Sequence, residues 1–553
     1  MRPSMVIAVI VAIFLATEAV VIPAAEASAP DGGPAASPGS GTPPTLYVDA
    51  GSAWCAGGRL LGGLLASAGT RAMPYCTIQA AADVVTPGQR VDIEQSSSRA
   101  LYTQSVTFTR SGTPSAPVVF AGVDAGHGLP VIAPPAGKTP VTFDHVHDVT
   151  VESAGISYGG NADGVDVNGS WDVTVDSTPL TGGPWGTGAH NTTASPTGNT
   201  ATGNTAAVRV DGGSSAVMIS RAQISGAVNG VIVAPGATMV TITTSALQLS
   251  GSGGTGIGLD GVGYSFITSD TVITGCGDAV SVAGGSAAII ENNVLTVQGD
   301  DCATGAGTSS PAGAPAPASA APSAAPSTAG SVAPPAALPA AVPSPIAALS
   351  VDQSSETGTR ADYNSLQAAS PAAEYAWGGT GYASSAGFAA ATGQGGHDGQ
   401  VPAAFGPGQP PEGSPVVDSA DCTAPGELLT DIDGNPRARD PMVSRDGAGT
   451  CYADRGAWER EDSVLPGFTV GWATGAGLAP LPLSVTVTSP ATSAWGEQVS
   501  YAIDFGDGSA PVPASPGAVV QHAYQLPGTY QVTVTGTDTT GSSLVATTTA
   551  RAL

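Results

Sequence analysis

The stretch TDIDGNPRARDP, residues 430–441, concentrates charged side chains in a chain that has only 16 lysines and arginines. Asp431 and Asp433 have the close spacing found in calcium-binding loops, and Arg437 follows them. An EF-hand loop also requires a bidentate glutamate at its twelfth position, and this sequence has Met442 there. The EF-hand is therefore excluded. We predict a turn whose amides are capped by the carboxylates and whose arginines bind carboxylates; a calcium site of another type is the alternative.

Four further aspartates are candidates for catalysis, because a glycoside hydrolase needs two carboxylates about 5–9.5 Å apart. They lie in or beside consecutive β-rich segments and could stack on one face: Asp260, Asp278, Asp300 and Asp301. The last two, next to Cys302, could also bind a cation. A repetitive fold places the acids of its turns in columns by default, so solvated carboxylates are the alternative interpretation.

Basic side chains and histidines provide few candidates for a catalytic base. Lys138 is the only lysine, and its surroundings, PPAGKTP, indicate a solvated loop. Arg209 and Arg221 lie on or beside predicted strands, outside any recognisable acidic calcium-binding set. His145 and His147 are two apart on a predicted strand and should face the same side; they form a metal or acid–base pair or are simply exposed. The sequence has no HExxH or P-loop motif, and we predict neither a GxSxG nucleophile elbow nor a dinucleotide-binding turn.

The charge balance limits the partners that the protein can bind. There are 43 acidic residues and a net charge of −27, which disfavours nucleic acids because their phosphates require a basic surface. The same charge disfavours polyanionic polysaccharides unless a divalent cation bridges the two. No motif requires a cofactor, calcium is the one ion that we consider, and we expect a monomer.

The N-terminus and the cysteines indicate export. Arg2 precedes an apolar run at residues 5–17, which is shorter than the roughly 20 residues of a spanning helix, and an A-x-A cleavage site ends at Ala27. We predict a signal peptide at 1–27 and a secreted protein without a membrane segment; an uncleaved anchor is the alternative. Six cysteines then indicate three disulfides. Proximity in sequence gives the pairs Cys55–Cys76, Cys276–Cys302 and Cys422–Cys451.

Short apolar strands recur through the middle of the chain, and each is followed about ten residues later by a second one. The first strands are GVDV (164–167), AVRV (207–210), GVIV (230–233), GIGL (256–259) and AVSV (279–282). Their last three intervals are 23, 26 and 23 residues, a period typical of a solenoid. The lack of intervening helices favours a parallel β-helix. Asn229, Asn292 and Asn293 lie at expected turns, where their amides can bind the backbone.

Changes of composition mark the domain boundaries. We predict a Pro/Gly/Ser linker at 28–44, a β-helix at 45–462 that opens with a helix at 75–85 capped by Thr77, and a linker at 463–481. Residues 303–348 form an Ala/Pro/Ser-rich insertion that cannot build a core. Residues 482–553 alternate apolar and polar side chains and indicate a small β-sandwich.

Several motifs resemble those of known families. YVDAGS and PYCTIQAAADVVTPGQRVDI resemble the start of secreted right-handed parallel β-helix proteins of the pectate-lyase-like superfamily. DIDGNPR (431–437) and DRGAWE (454–459) resemble its closing motif. That resemblance implies structural roles for Asp431, Asp433, Arg437, Asp454 and Glu459 at the closing end of the solenoid, with Arg437 and Glu459 clamped over the last coil. The superfamily's galacturonan hydrolases carry Asp pairs with a nearby Gly-His and Arg-x-Lys, and that combined set is not found here.

The C-terminal residues resemble a PKD domain. YAIDFGDGS (501–509) and HAYQLPGTYQVTVTGTD (522–538) match its turn and the strand that follows. In that family Asp504 and Asp507 would fix the turn. Together the resemblances imply an all-β protein, in which a right-handed parallel β-helix precedes an immunoglobulin-like sandwich.

These observations lead to three hypotheses about function. The first is a non-catalytic secreted or cell-surface protein that binds carbohydrate, as a polysaccharide or a cell-surface glycan, or another extracellular surface. The second is a polysaccharide lyase or glycoside hydrolase acting on an extracellular polysaccharide. The third is a structural spacer.

Overall fold

The computed structural model describes most of the chain after residue 43. The described residues are 44–57, 69–95, 102–160, 162–182, 206–249, 253–299, 346–369, 372–401, 406–411, 413–461, 468–473, 476–491, 498–539, 541 and 543–553. The predicted signal peptide, the linker before residue 44 and the insertion from 303 to 345 lie outside them.

The central part of the chain forms three parallel sheets, and each coil adds one strand to each sheet in the order sheet 1, sheet 2, sheet 3. Sheet 1 contains Val106–Phe108, Val141–Asp144, Val165–Asn168, Ala206–Val210, Asn229–Val233, Ile257–Asp260, Val280–Ala283, Ala347–Val351, Ala373–Trp377 and the antiparallel Thr380–Tyr382. Sheet 2 contains Leu46–Asp49, Arg90–Glu94, Val118–Val123, His147–Glu152, Trp171–Asp176, Ser215–Ser220, Val240–Thr243, Ser265–Thr268, Ala288–Glu291 and Arg360–Asp362. Sheet 3 contains Val131–Ile132, Gly155–Tyr158, Pro179–Gly182, Gln223–Ser225, Ala246–Gln248, Thr271–Thr274, Val294–Val297, Ser365–Ala368 and Gly399–Gln400. This is a parallel β-helix, as the sequence predicts.

The core of the β-helix consists of columns of branched apolar side chains. Val165 and Val167 are fully buried, whereas Asp166 between them is half-buried on the outer face. Val165 pairs with Val208, and Val208 pairs with Val231. The same inward position is therefore apolar in each coil, and coils stack at about 4.8 Å.

The predicted first and second strands of each unit are confirmed as strands of sheets 1 and 2. The strands of sheet 3 were missed. Gln223–Ser225 and Ala246–Gln248 have three residues each and begin three residues after the preceding strand ends. Such short strands show no period of their own, so the sequence did not separate them from the second strand.

A left-handed residue makes this tight turn between sheets 2 and 3. One residue per coil has φ between 48° and 63° at this point: Ser153, Ser177, Arg221, Thr244, Ser269, Asn292 and Tyr363. None of these is glycine, so the conformation carries a steric cost that the surrounding structure must offset. The turns consequently form a continuous column along one edge of the solenoid.

At four successive turns, the residue after the left-handed position contributes to a hydrogen-bond ladder between coils. The Ser245 amide donates to Asp270 Oδ1 at 2.7 Å, and the Asp270 amide donates to Asn293 Oδ1 at 2.9 Å. The Asn293 amide donates to Asn364 Oδ1, and the Asn364 amide donates to Asp398 Oδ1. The expected role of Asn293 in a turn is confirmed, and Asn229 accepts from the Thr255 amide in the same manner at another turn.

Within the described residues, three short helices accompany the strands, at Ala53–Gly57, Ile78–Ala82 and Ser385–Thr392. The second is the predicted N-terminal helix, which is shorter than residues 75–85. Thr77 caps it by accepting from the Ala80 amide at 3.2 Å. Ile78, Ala81 and Ala82 are buried, as their common helical face predicts.

After the last coil, residues 413–461 fold back as turns and bends; we call them the closing segment. They run beside the column of left-handed turns. The Thr243 hydroxyl donates to the Gly426 carbonyl, and Asn292 exchanges hydrogen bonds with the backbone of Asp421. The predicted contact over the last coil is therefore corrected: the closing segment lies against the side of several coils.

The C-terminal residues form the predicted sandwich. One sheet contains Thr469–Ala473, Leu481–Ser489 and Val519–Tyr524. The other contains Ala476–Gly477, Ser543–Ala552, Gly528–Thr537, Ser500–Asp504 and Val512–Ala514. Thr469–Ala473 falls in the predicted linker of 463–481 but pairs with Leu481–Ser489, so the sandwich begins earlier than predicted.

Two predicted disulfides are confirmed, Cys55–Cys76 and Cys422–Cys451. The third pair includes Cys302, which lies outside the described residues. The β-helix resumes at Ala347–Val351, so the last residues of the predicted insertion 303–348 already belong to sheet 1. None of the helices among the described residues has the length and apolarity needed to cross a membrane.

Candidate functional site

Charged side chains cluster on the outer surface of sheet 1, near its second to fourth described strands. We call this cluster the acidic face; it consists of Asp144, Asp163, Asp166, Arg209 and Asp211. Strand register places Asp166 beside Arg209 in the next coil. Neighbouring strands are about 4.8 Å apart, so the alternation that buries the valines also brings these polar side chains together.

Arg209 is held in place by Asp163. Arg209 Nε donates to Asp163 Oδ2 at 2.7 Å, and the Ala206 amide donates to Asp163 Oδ1 at 2.6 Å. Asp163 thus fixes the guanidinium of Arg209. It also fixes the start of the strand Ala206–Val210, which follows residues 183–205, a segment outside the described residues. Arg209 therefore lies among acids.

Asp166 is the least satisfied carboxylate of the acidic face. Its Oδ1 is buried and has no hydrogen-bond partner among the described residues. Burial, and then the charges of Asp211 and Asp163, raise the pKa of Asp166 to about 6, although Arg209 opposes the shift. A carboxyl group of this kind exchanges a proton near neutral pH and can accept or donate a hydrogen bond.

An exposed aromatic stack lies on the turn that follows the acidic face. Asn168 Nδ2 donates to Asp144 Oδ1 at 3.1 Å at the end of these strands. Three residues further on, Trp171 begins a strand of sheet 2 and stacks on His147 with ring centroids 4.5 Å apart. Trp171 is 43% exposed. An exposed indole next to hydrogen-bonding groups is suited to an amphipathic ligand.

The predicted histidine pair does not form. His145 has φ of 54° and lies in the turn between two strands, whereas His147 begins the next strand. Their Nδ1 atoms contact different carboxylates, Asp144 at 2.7 Å and Asp148 at 2.8 Å. The expectation that they share one face of a strand was wrong because the chain turns at His145.

The predicted aspartate pair on sheet 1 also does not form. Ile257 pairs with Val280, so Asp278 lies opposite Thr255, five residues before Asp260. At about 3.3 Å per residue, Asp260 and Asp278 are separated by roughly 16 Å along the strand direction. This distance is beyond the range of a catalytic carboxylate pair in a glycoside hydrolase. Asp300 and Asp301 lie outside the described residues.

Asp278 instead has a structural contact. Its Oδ1 accepts from the Ala347 amide at 2.8 Å, the point at which the described chain re-enters sheet 1. Burial raises the pKa of Asp278. Asp163 binds the Ala206 amide in the equivalent way, so the two aspartates anchor the two strands that follow the long undescribed segments.

The remaining basic candidates are accounted for by local structure. Arg221 forms a two-pronged ion pair with Asp176, with Nη2–Oδ2 at 2.6 Å and Nε–Oδ1 at 3.0 Å. Lys138 is exposed in a turn, as predicted from its flanking prolines.

The residues of the closing motif form a buried network. Asp431 Oδ1 accepts from the amides of Asp433 and Asn435 at 3.0 and 2.8 Å. Arg437, whose side chain is 4% exposed, binds Glu459 at 3.2 Å and Glu427 at 3.0 Å. The predicted capped turn and arginine clamp are therefore present, with Glu427 as a partner that the sequence did not reveal.

Further bonds tie this network to the coils and complete the motif. Asn292 Nδ2 donates to Glu427 Oε2 at 2.9 Å, and Ser269 Oγ also bonds Glu427. Asp454 accepts from the amides of Asp418 and Arg460 at 2.8 and 2.7 Å. The motif thus fastens the closing segment to the turns at Ser269 and Asn292.

The aspartates of the sandwich turn act locally. Asp504 accepts from the Gly506 amide at 2.8 Å, and Asp507 accepts from the Ser509 amide at 3.1 Å. Asp507 also contacts His522 Nε2 at 2.8 Å. These bonds fix the turn, as the sequence predicts.

Comparison with known families identifies the C-terminal domain. A family model described as "PKD domain" matches residues 468–551. A solved structure described as "Rhamnogalacturonan lyase" is similar at 13% identity, with a TM-score of 0.21, over 46% of this chain and 57% of that one. The chain therefore spans less than two thirds of that relative. No curated protein matches the sequence.

The PKD domain and the disulfides are typical of extracellular proteins. The chain is an all-β protein in which a parallel β-helix is followed by a PKD domain at residues 468–551.

Proposed function

We propose that this protein is secreted and binds an extracellular polysaccharide at the acidic face. The observation that supports this function is the environment of Asp166, a half-buried carboxyl with an unpartnered oxygen, next to an arginine that is already oriented. Sugar hydroxyls both donate and accept hydrogen bonds, so a mixed set of carboxylate acceptors and guanidinium donors can bind them.

The charge of the acidic face favours a neutral polysaccharide. Asp144, Asp163, Asp166 and Asp211 surround a single Arg209, and the whole chain has a net charge of −27. A uronate polymer would be repelled unless a divalent cation bridged the carboxylates. The Trp171–His147 stack adds an aromatic surface on which a sugar ring can pack.

Affinity measurements test the proposal. Titration calorimetry of the full chain with soluble neutral polysaccharides, and with uronate polymers with and without calcium, should find binding to at least one neutral polymer. Asp166→Asn and Arg209→Gln should each weaken that binding roughly tenfold or more, since hydrogen bonds to charged groups contribute about 1.5–3 kcal/mol.

Asp260→Asn is the matched control, because Asp260 is an exposed aspartate on the same sheet three coils away. Its affinity should equal that of the wild type. Absence of binding to every polymer, or equal binding by wild type and Asp166→Asn, would refute this function.

A polysaccharide-cleaving activity at the same face is the second candidate. It is favoured by the position of Asp166 beside Arg209 in the next coil, where burial and the neighbouring acids raise the pKa of Asp166 to about 6; catalytic acids and bases need such values. Reducing-end release and absorbance at 235 nm on the same panel distinguish cleavage from binding. Cleavage that disappears in Asp166→Asn would favour the enzyme.

A further inference from the structure

Three carboxylates of the closing segment converge in its interior. Asp418, Asp454 and Glu459 each offer one oxygen, and these oxygens lie within 4.8 Å of one another. All three residues are buried. Two oxygens bound to one Ca²⁺ are at most about 5 Å apart, because Ca–O distances are about 2.3–2.6 Å. The separation of the three groups thus suits a common cation.

One oxygen in this cluster has no partner. Asp418 is 1% exposed; its Oδ2 accepts from the Asp440 amide at 3.2 Å, whereas its Oδ1 has no hydrogen bond among the described residues. Buried polar atoms are almost always satisfied, and an exception indicates a proton, a water or an ion. The free oxygen of Asp418 therefore points to a ligand.

The neighbouring arginines neutralise only one of the three carboxylates of the cluster by an ion pair, Glu459. Arg437 is paired with Glu459 and Glu427, and Arg460 is paired with Asp440. Asp418 and Asp454 form no ion pair within the described part of the chain. Two buried carboxylates without counter-charge are costly, and a divalent cation supplies the missing charge.

The backbone holds the carboxylates in position without using all their lone pairs. The Asp418 amide donates to Asp454 Oδ1 at 2.8 Å, and the Asp454 amide donates to Glu459 Oε2 at 3.1 Å. Each carboxylate oxygen has a second acceptor site. Oxygen donors without a cysteine or histidine favour a hard cation.

We propose that Asp418, Asp454 and Glu459 bind a Ca²⁺ ion inside the closing segment, and that this ion stabilises the segment against the β-helix. The cluster is separate from the acidic face, so it does not depend on the proposed polysaccharide binding.

Thermal unfolding of the full chain, stripped with EDTA and then titrated with CaCl₂, tests the site. At a calcium concentration 100 times the dissociation constant, the Tm should rise by about 3 °C for a β-helix of this size. Asp418→Asn retains an acceptor for the Asp440 amide, so it should fold, and it should lose at least tenfold in calcium affinity. Asp260→Asn is the control and should respond like the wild type.

A second measurement avoids reliance on the variants. Tb³⁺ should bind the stripped wild-type protein with luminescence sensitised by tryptophan, since Trp458 directly precedes Glu459, and Ca²⁺ should displace it. The proposal is overturned if calcium changes neither the Tm nor the Tb³⁺ signal. It is also overturned if Asp418→Asn binds calcium like the wild type.

Discussion

The closing segment and the acidic face both concentrate acids and arginine, yet their carboxylates differ in what they contact. Around Arg437 the acids bind amides and a guanidinium in the protein interior. On the acidic face, Asp166 is half-buried with an oxygen that has no partner among the described residues. The charges of the closing motif lie close together in the sequence, whereas those of the acidic face come together only in the fold. Asp166 and, elsewhere in the closing segment, Asp418 each keep a buried oxygen without a partner among the described residues. Such an oxygen, rather than charge alone, distinguishes a site that can bind a ligand from a structural network.

The largest effect should follow from breaking the arginine clamp. Arg437→Ala leaves Glu427 and Glu459 buried without their counter-charge, which costs about 3–5 kcal/mol. Thermal unfolding should show a Tm lower by roughly 4–6 °C for a domain of about 400 residues. Arg439→Ala removes an exposed arginine from the same turn and should change stability by less than about 1 kcal/mol. An unchanged Tm in Arg437→Ala would show that the closing segment does not stabilise the fold.

Asp278, like Asp163 of the acidic face, accepts a hydrogen bond from the first amide of a strand. Variants of Asp278 therefore test whether such an acid has only a structural role. Asp278→Ala leaves the Ala347 amide without its acceptor and should cost about 1–3 kcal/mol. Asp278→Asn keeps an acceptor and removes a carboxyl whose pKa is raised by burial, so it should be no less stable than the wild type. Equal denaturation midpoints for the alanine variant and the wild type would argue against an anchoring role.

Asp270 belongs to the hydrogen-bond ladder between coils, and its replacement by asparagine should stabilise the protein. Asn293 and Asn364 donate from Nδ2 to the Ile267 and Ile290 carbonyls, and the register places Ile242 as the equivalent acceptor for residue 270. Asp270 Oδ2 has no partner among the described residues, and burial raises the pKa of Asp270 well above its usual value. Asp270→Asn should therefore stabilise the protein by about 1 kcal/mol.

This gain should depend on pH. Because the folded-state pKa of Asp270 is raised, the wild type loses stability as pH rises above the unfolded pKa of about 3.9. The asparagine variant does not titrate there, so its advantage should widen between pH 4 and pH 8. Denaturant titrations at both pH values measure it; an advantage that is absent or independent of pH would contradict the ladder interpretation.

The smallest effect on stability, within about 0.5 kcal/mol, is expected from Asp211→Asn on the acidic face. Its charge contributes to the raised pKa of Asp166, so its removal should move the pKa of Asp166 to a lower value. The pH dependence of polysaccharide affinity, with its midpoint near 6 in the wild type, should shift to more acidic pH in the variant. A midpoint that does not move would show that Asp166 does not control binding.

Sequence patterns predicted the fold better than the site. The valines of sheets 1 and 2 alternate strictly, and Thr77 and the two disulfides follow local rules, so these features were found. The three-residue strands of sheet 3 were not, because a single left-handed residue such as Arg221 turns the chain without a glycine or proline.

The acidic face could not be predicted because its members are far apart in sequence. Asp163 and Arg209 are 46 residues apart, and only the strand register brings Asp166 beside Arg209. Glu427 likewise has no motif, and it reaches Arg437 through the path of the closing segment. The alternation of GVDV and AVRV was the one available signal, since it places a charged residue between two buried valines in consecutive coils.

Polysaccharide affinity of Asp166→Asn at pH 7, compared with Asp260→Asn under the same conditions, tests the assignment of function to the acidic face most directly. The expected result is at least a tenfold loss of affinity in Asp166→Asn, with a Tm no lower than that of the wild type and with wild-type affinity in the control. Equal affinities for the two variants, or a loss that occurs in both, would contradict it.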